Sequence, residues 1–139
     1  MSYRETMQRR DSPPLTSSNA PARRLILVED DESVRRSMTM LLRTRGFQID
    51  AYRSASEFLM MTGQHDGDCL LIDYKMPRID GIELIQRIRR QKDETPAIMV
   101  TGYYSDSLKQ RALVAGFAEV LEKPLVPKRI QSLISKVTR

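Results

Sequence analysis

The chain has one cysteine, one histidine and no tryptophan among 139 residues. The single thiol, Cys69, excludes an internal disulfide and suits a reducing cytoplasm. The lone histidine, His65, lies in a polar loop with no second histidine or cysteine nearby, which argues against a zinc site. No apolar run approaches the ~20 residues that cross a bilayer. The N-terminus lacks the apolar stretch of a secretory signal, so no membrane role is expected. Charge of one sign is also scarce: the net charge is +5, of which residues 1–24 carry +3. That stretch holds Arg4, Arg9, Arg10, Arg23 and Arg24 against Glu5 and Asp11 but almost no aromatics for base stacking. With no nucleic-acid-binding motif either, direct DNA binding is not expected.

What is present is an ordinary composition for one soluble domain, 40% hydrophobic and 29% charged. Residues 1–22 read as a disordered basic and polar tail, because Asp11-Ser12-Pro13-Pro14 and Thr16-Ser17-Ser18-Asn19 are aperiodic and Pro-containing. The globular part is expected over 23–139. From Leu25 onward, strand and helix patterns alternate five times. Leu25–Val28 reads as a buried strand. Val34, Met38, Leu41 and Leu42 mark one face of a helix from Ser33 to Arg45, capped by Gly46. Strands follow at Phe47–Ala51, Cys69–Asp73, Ala97–Thr101 and Ala118–Leu121. Between them lie helices opened by Ser54 or Ser56, by Gly81 and by Asp106, and a last helix carries Ile130, Leu133, Ile134 and Val137. Such alternation implies an α/β protein with a parallel sheet, since parallel neighbours need crossover connections. Five units favour a flavodoxin-like doubly wound sheet, order 2-1-3-4-5, with helices on both faces.

The third strand is the most informative. Leu70-Leu71-Ile72 ends in Asp73, then Met76-Pro77 and Asp80-Gly81 follow. Proline stops the strand and turns the chain into a loop. Alone, a strand-end Asp reads first as a helix cap. The other strand ends reverse that reading. Strand one ends at Glu29-Asp30-Asp31, strand four at Thr101-Gly102, and strand five runs into Glu122-Lys123-Pro124. In the 2-1-3-4-5 order these ends converge on one crevice, at the sheet edge where ligands bind. Clustered carboxylates repel one another and call for a cation or a proton. Oxygen ligands alone suit Mg²⁺. Lys123 and Thr101 could hold the oxygens of a phosphoryl group, and a carboxylate can act as nucleophile toward phosphorus. Asp73, on the central strand, is the candidate nearest to all partners.

With these motifs in order over about residues 24–138, the chain resembles the receiver domain of response regulators in two-component signalling. The resemblance implies an Mg²⁺-dependent phosphorelay role rather than an enzyme, with only self-catalysed phosphotransfer and autodephosphorylation. Asp73 would accept a phosphoryl group from the phosphohistidine of a sensor histidine kinase or phosphotransfer protein. Asp30 would ligate Mg²⁺ directly and Glu29 mainly through water, with Asp73 and the backbone carbonyl of Lys75 completing the protein ligands. Thr101 and Lys123 would hold the phosphoryl oxygens, and the Lys123-Pro124 bond would be cis. Asp31 is expected to cap the first helix rather than bind metal. Phosphorylation would bias the helix-four, strand-five, helix-five face between two states, a face that also suits a homodimer.

Two features depart from the family pattern or from its rivals. The position three before Lys123 usually carries an aromatic residue whose rotation reports activation, and here it is Val120. Tyr103 and Tyr104 are the aromatic candidates to replace it. Lys75 and Tyr103 occupy positions that usually tune dephosphorylation. A phosphatase-type hydrolase would need a second Asp two residues after Asp73, where Lys75 stands. The alternatives are a constitutive interaction module and the receiver fragment of a larger DNA-binding regulator. The expected form is a stand-alone cytoplasmic receiver acting on a downstream protein.

Overall fold

Alternation within each strand decides which face a side chain joins, because successive residues of a strand point to opposite sides. In β1 (Arg24–Val28), Leu25 and Leu27 join one apolar cluster while Ile26 and Val28 join the other. The same division runs through β3 (Cys69–Asp73) and β4 (Ala97–Thr101), whose residues are all buried. A strand buried on both faces reads as a continuous apolar run, which is why these two were visible in the sequence. The computed structural model describes residues 23–61 and 65–138; the expected tail over 1–22 lies outside the described residues.

β2 (Gln48–Tyr52) and β5 (Glu119–Glu122) complete a parallel sheet in the order β2-β1-β3-β4-β5. Helices α1 (Glu32–Arg43) and α5 (Pro127–Val137) cover one face, packing Met38, Leu42, Ile130 and Ile134 against Leu27, Leu71, Ile98 and Leu121. Helices α2 (Ala55–Met60), α3 (Gly81–Arg90) and α4 (Asp106–Ala115) cover the other, with Phe58, Leu84, Ile85, Ile88 and Leu108 against Ile72 and Met99. Leu27, Leu71 and Ile98 are fully buried, and truncating a buried residue of this kind to alanine costs about 2–5 kcal/mol. The expected doubly wound architecture is the one observed.

Caps set the helix ends. The side chains of Asp31, Ser54, Asp80 and Ser105 accept the backbone N–H of Val34, Glu57, Glu83 and Leu108 respectively. Each satisfies a donor that the first helical turn leaves free. Gly46, at φ 93°, ends α1: its N–H donates to Arg43 and that of Phe47 to Leu42. That left-handed cap takes up Thr44 and Arg45, so α1 stops two residues earlier, and β2 starts one residue later, than the periodicity predicts. Gly116, at φ 130°, closes α4 in the same way. There the guanidinium of Arg89 donates to the carbonyls of Asp93 and Gly116, both at 2.8 Å, tying the C-terminal end of α3 to that of α4. Among the described residues no helix is long and apolar enough to cross a membrane.

Candidate functional site

Four of the strand ends meet at one edge of the sheet. Glu29, Asp73 and Lys123 continue the register of Leu27, Leu71 and Leu121, so all three fall on the α1–α5 face. Thr101 falls on the opposite register, continuing Met99. Pairing aligns Asp73 with Val100 and Thr101 with Glu122, which places these ends side by side.

The cluster has an internal hierarchy of exposure. Glu29 and Asp73 are 1% and 4% exposed, whereas Asp30 faces solvent. Carboxylate oxygens of Glu29, Asp30 and Asp73 lie within 4.8 Å of one another. One ammonium serves the buried pair: Lys123 Nζ is 2.7 Å from Glu29 Oε1 and 3.1 Å from Asp73 Oδ1. The second oxygen of Glu29 accepts the N–H of Asp31 at 3.1 Å. Asp30 makes no side-chain hydrogen bond among the described residues, so its carboxylate is the open one.

Electrostatics follow from three carboxylates sharing one ammonium. Burial, then the charge of Glu29, push the Asp73 carboxyl up from 3.8 to about 7, against the pull of Lys123. Burial works against the charge on Lys123, but its hydrogen bonds and attraction to Glu29 and Asp73 outweigh that and raise its pKa. The ammonium is oversupplied with partners while the carboxylates are short of them. Such a site favours a further cation.

The donor set is oxygen only, because Cys69 is buried at the start of β3 and His65 is held by Asp93. Hard oxygen donors in a half-open cluster fit Mg²⁺, which keeps several waters and takes one or two protein carboxylates. Glu29, Asp30 and Asp73 are the side chains that would surround it.

The remaining candidates lie in the loops and in β4 and β5. Asp80 caps α3, and the N–H of Gly81 donates to the Tyr74 carbonyl at 2.8 Å. A Cβ at Gly81 would stand 2.6 Å from the carbonyl oxygen of Asp73, so only glycine lets α3 begin this close to the strand end. Between them Arg78 adopts φ 69°, a left-handed conformation costly for a side chain that large. Lys75 lies in this loop with its ammonium 5.1 Å from the centre of the Tyr103 ring. Thr101 is fully buried; its hydroxyl accepts the N–H of Tyr103 at 2.9 Å, and its carbonyl accepts that of Lys123 at 2.8 Å. The Lys123-Pro124 peptide is cis. Val120 is buried in the core beneath α4. Tyr104, at 37% exposure, lines a groove of about 560 Å³ between β5 and α5 together with Lys109, Glu119 and Val126.

Sequence reasoning missed four contacts. Arg35, in the first turn of α1, donates to the carbonyl of Glu29 at 2.9 Å. Lys123 meets Glu29 directly as well as Asp73. His65 Nε2 lies 2.7 Å from Asp93 and its Nδ1 accepts the N–H of Gly67, latching the segment before β3 to the α3–β4 loop. None of these carries a motif signal: two span 94 and 28 residues, and the Arg35 contact depends on the path of the loop before α1.

A sheet in this order with acids and a lysine at its strand ends defines the class: a response-regulator receiver. The chain belongs to that family, whose model, the response regulator receiver domain, matches residues 25–135. Among its relatives are the transcriptional regulatory protein FixJ of Bradyrhizobium diazoefficiens, 30% identical over 83% of this chain and 56% of that protein, and nodulation protein W of the same species, 34% identical over 81% and 48%. The chain thus spans about half the length of these relatives. Of solved structures, FixJ-N superposes with a TM-score of 0.76 at 29% identity, over 84% of this chain and 93% of that one. A CheY-like receiver from Methanospirillum hungatei gives 0.76 at 26% identity, over 84% and 94%.

Proposed function

We propose that Asp73 accepts a phosphoryl group from a phosphohistidine of a sensor kinase or phosphotransfer protein in an Mg²⁺-dependent phosphorelay. One observation carries the reading. A buried carboxylate ends the central strand with two more carboxylates within 4.8 Å and an ammonium at 3.1 Å. In the reaction a carboxylate oxygen of Asp73 attacks phosphorus, the P–N bond to the imidazole breaks, and an acyl phosphate forms. Mg²⁺ bound by Asp30, Asp73, the Lys75 carbonyl and, through water, Glu29 would supply positive charge to the phosphoryl oxygens and favour ionised Asp73. Lys123 then pairs with a phosphoryl oxygen, and the Thr101 hydroxyl donates to another.

The new charge, about −1.5 to −2, is what a downstream protein reads. The Thr101 hydroxyl is bonded to the Tyr103 N–H, so drawing it toward phosphorus moves the Tyr103-Tyr104 segment. Tyr104 lines the β5–α5 groove, which supports the α4–β5–α5 face as the output surface and as the candidate homodimer face. We place the protein in the cytoplasm, where sensor kinases present their phosphohistidine, and assign it no turnover beyond its own phosphorylation and dephosphorylation.

The test is intact mass after incubation with Mg²⁺ and acetyl phosphate, for wild type and Asp73→Asn. One phosphoryl adduct, absent with EDTA and in the variant, is expected. No adduct, even from a phosphorylated kinase, would turn the reading to a constitutive interaction module.

A further inference from the structure

The acidic pair is held from behind by a residue of α1. Arg35 has no acidic side-chain partner among the described residues; its guanidinium instead donates to the main-chain carbonyls of Glu29 at 2.9 Å and Asp30 at 3.5 Å. Every other polar group of Glu29 is already taken. Its N–H donates to the Tyr52 carbonyl, and its two carboxylate oxygens accept from Lys123 and Asp31. Asp30 differs. Its side chain has no hydrogen-bond partner among the described residues, so its carboxylate is aimed by its backbone, which lies between the Arg35 contact and the Asp31 cap.

We propose that Arg35 is a positioning residue for the divalent cation, fixing the Glu29-Asp30 backbone so that the free Asp30 carboxylate points into the cluster. The inference rests on the Mg²⁺ reading above and deepens it. Two effects of Arg35 oppose each other. As a nearby positive charge it repels a cation. As a clamp it pre-organises a ligand, and groups that orient metal ligands typically change affinity about 10–100-fold when removed. The sign of the change therefore separates the two.

The experiment is calorimetric titration of Mg²⁺ into wild type, Arg35→Met, Arg35→Lys and Arg36→Met, with thermal melts of each. Arg36 is the neighbouring cation, exposed and, among the described residues, paired only with Glu32 at 3.5 Å, so its loss removes a similar charge without touching the clamp. Expected is at least a tenfold weaker Mg²⁺ affinity for Arg35→Met, an intermediate loss for Arg35→Lys, and an unchanged or slightly tighter affinity for Arg36→Met. Unchanged or tighter binding by Arg35→Met overturns the proposal, as does a lowered Tm with affinity intact well below it. If Arg35→Met does not fold, Arg35→Lys carries the decision under the same criteria. A wild-type chain that takes up no Mg²⁺ sinks the functional reading first, which is a different result from an unchanged variant.

Discussion

Replacing Asp73 by asparagine should make the metal-free protein more stable, not less. The carboxyl is raised from 3.8 to about 7 in the fold, by burial first and the charge of Glu29 second. A raised carboxyl means the folded state binds more protons than the unfolded state between those two values. Stability therefore falls as pH climbs through that window. The shift is about three units at ~1.4 kcal/mol each, so ionised Asp73 costs the fold up to about 4 kcal/mol above pH 7. Asparagine keeps the shape and removes the charge. The assay is urea unfolding in EDTA at pH 8 and at pH 4. At pH 8 the variant should gain about 2–4 kcal/mol, which moves the midpoint by about 1–2 M for a urea slope of about 2 kcal/mol/M. Near pH 4, where folded Asp73 is already protonated, the gain should vanish. A gain of equal size at both pH values, or none at pH 8, would refute the reasoning.

Other substitutions should move in stated directions. Lys123→Met strips the buried carboxylates of their ammonium and should cost about 3–5 kcal/mol at pH 8, read by the same urea titration, with a smaller loss at pH 5. Added Mg²⁺ should raise the Tm of wild type at pH 8, by ligand linkage, and leave that of Asp73→Asn almost unmoved in a calorimetric scan. Gly81→Ala forces a Cβ toward the Asp73 carbonyl and should cost about 1–3 kcal/mol in denaturant unfolding. Burial pushes the Asp93 carboxyl up, but its bonds to Thr95 and His65 prevail and hold it low. A depressed carboxyl stabilises above its unfolded value and loses that contribution as pH falls through its folded value. Asp93→Asn should thus destabilise by about 1–3 kcal/mol at pH 7 and by progressively less as the pH falls below the ordinary carboxylate range, as a pH series of thermal melts would show.

The fold was legible because its signals are local. Cys69–Asp73 and Ala97–Thr101 are short apolar runs stopped by Asp and by Thr-Gly, and the helices announce themselves by caps such as Ser54 and Gly46. The gathering of acids and lysine followed from topology alone, since a 2-1-3-4-5 order brings strand ends one, three, four and five together. Contacts between those ends did not follow. Lys123 reaches Glu29 across 94 residues, a separation that no local pattern signals. Arg35, flanked by Val34 and Arg36, reads as one more charge on a solvated helix face. Only the path of the Glu29-Asp30 backbone brings carbonyls within its reach. The His65–Asp93 latch escaped for the same reason, because neither residue stands in a motif.

The Arg89 tie gives α4 two unequal ends. Its C-terminal end is pinned to α3 through the Gly116 carbonyl, whereas its N-terminal end hangs from the short segment that leaves Thr101. A pull on that segment would turn the helix about that end, working against the Lys109–Glu119 pair at 3.2 Å, more readily than slide it. The stroke is then largest near Ser105 and smallest near Gly116. A partner gripping the Lys109 end would feel a shift that one gripping the Ala115 end would not.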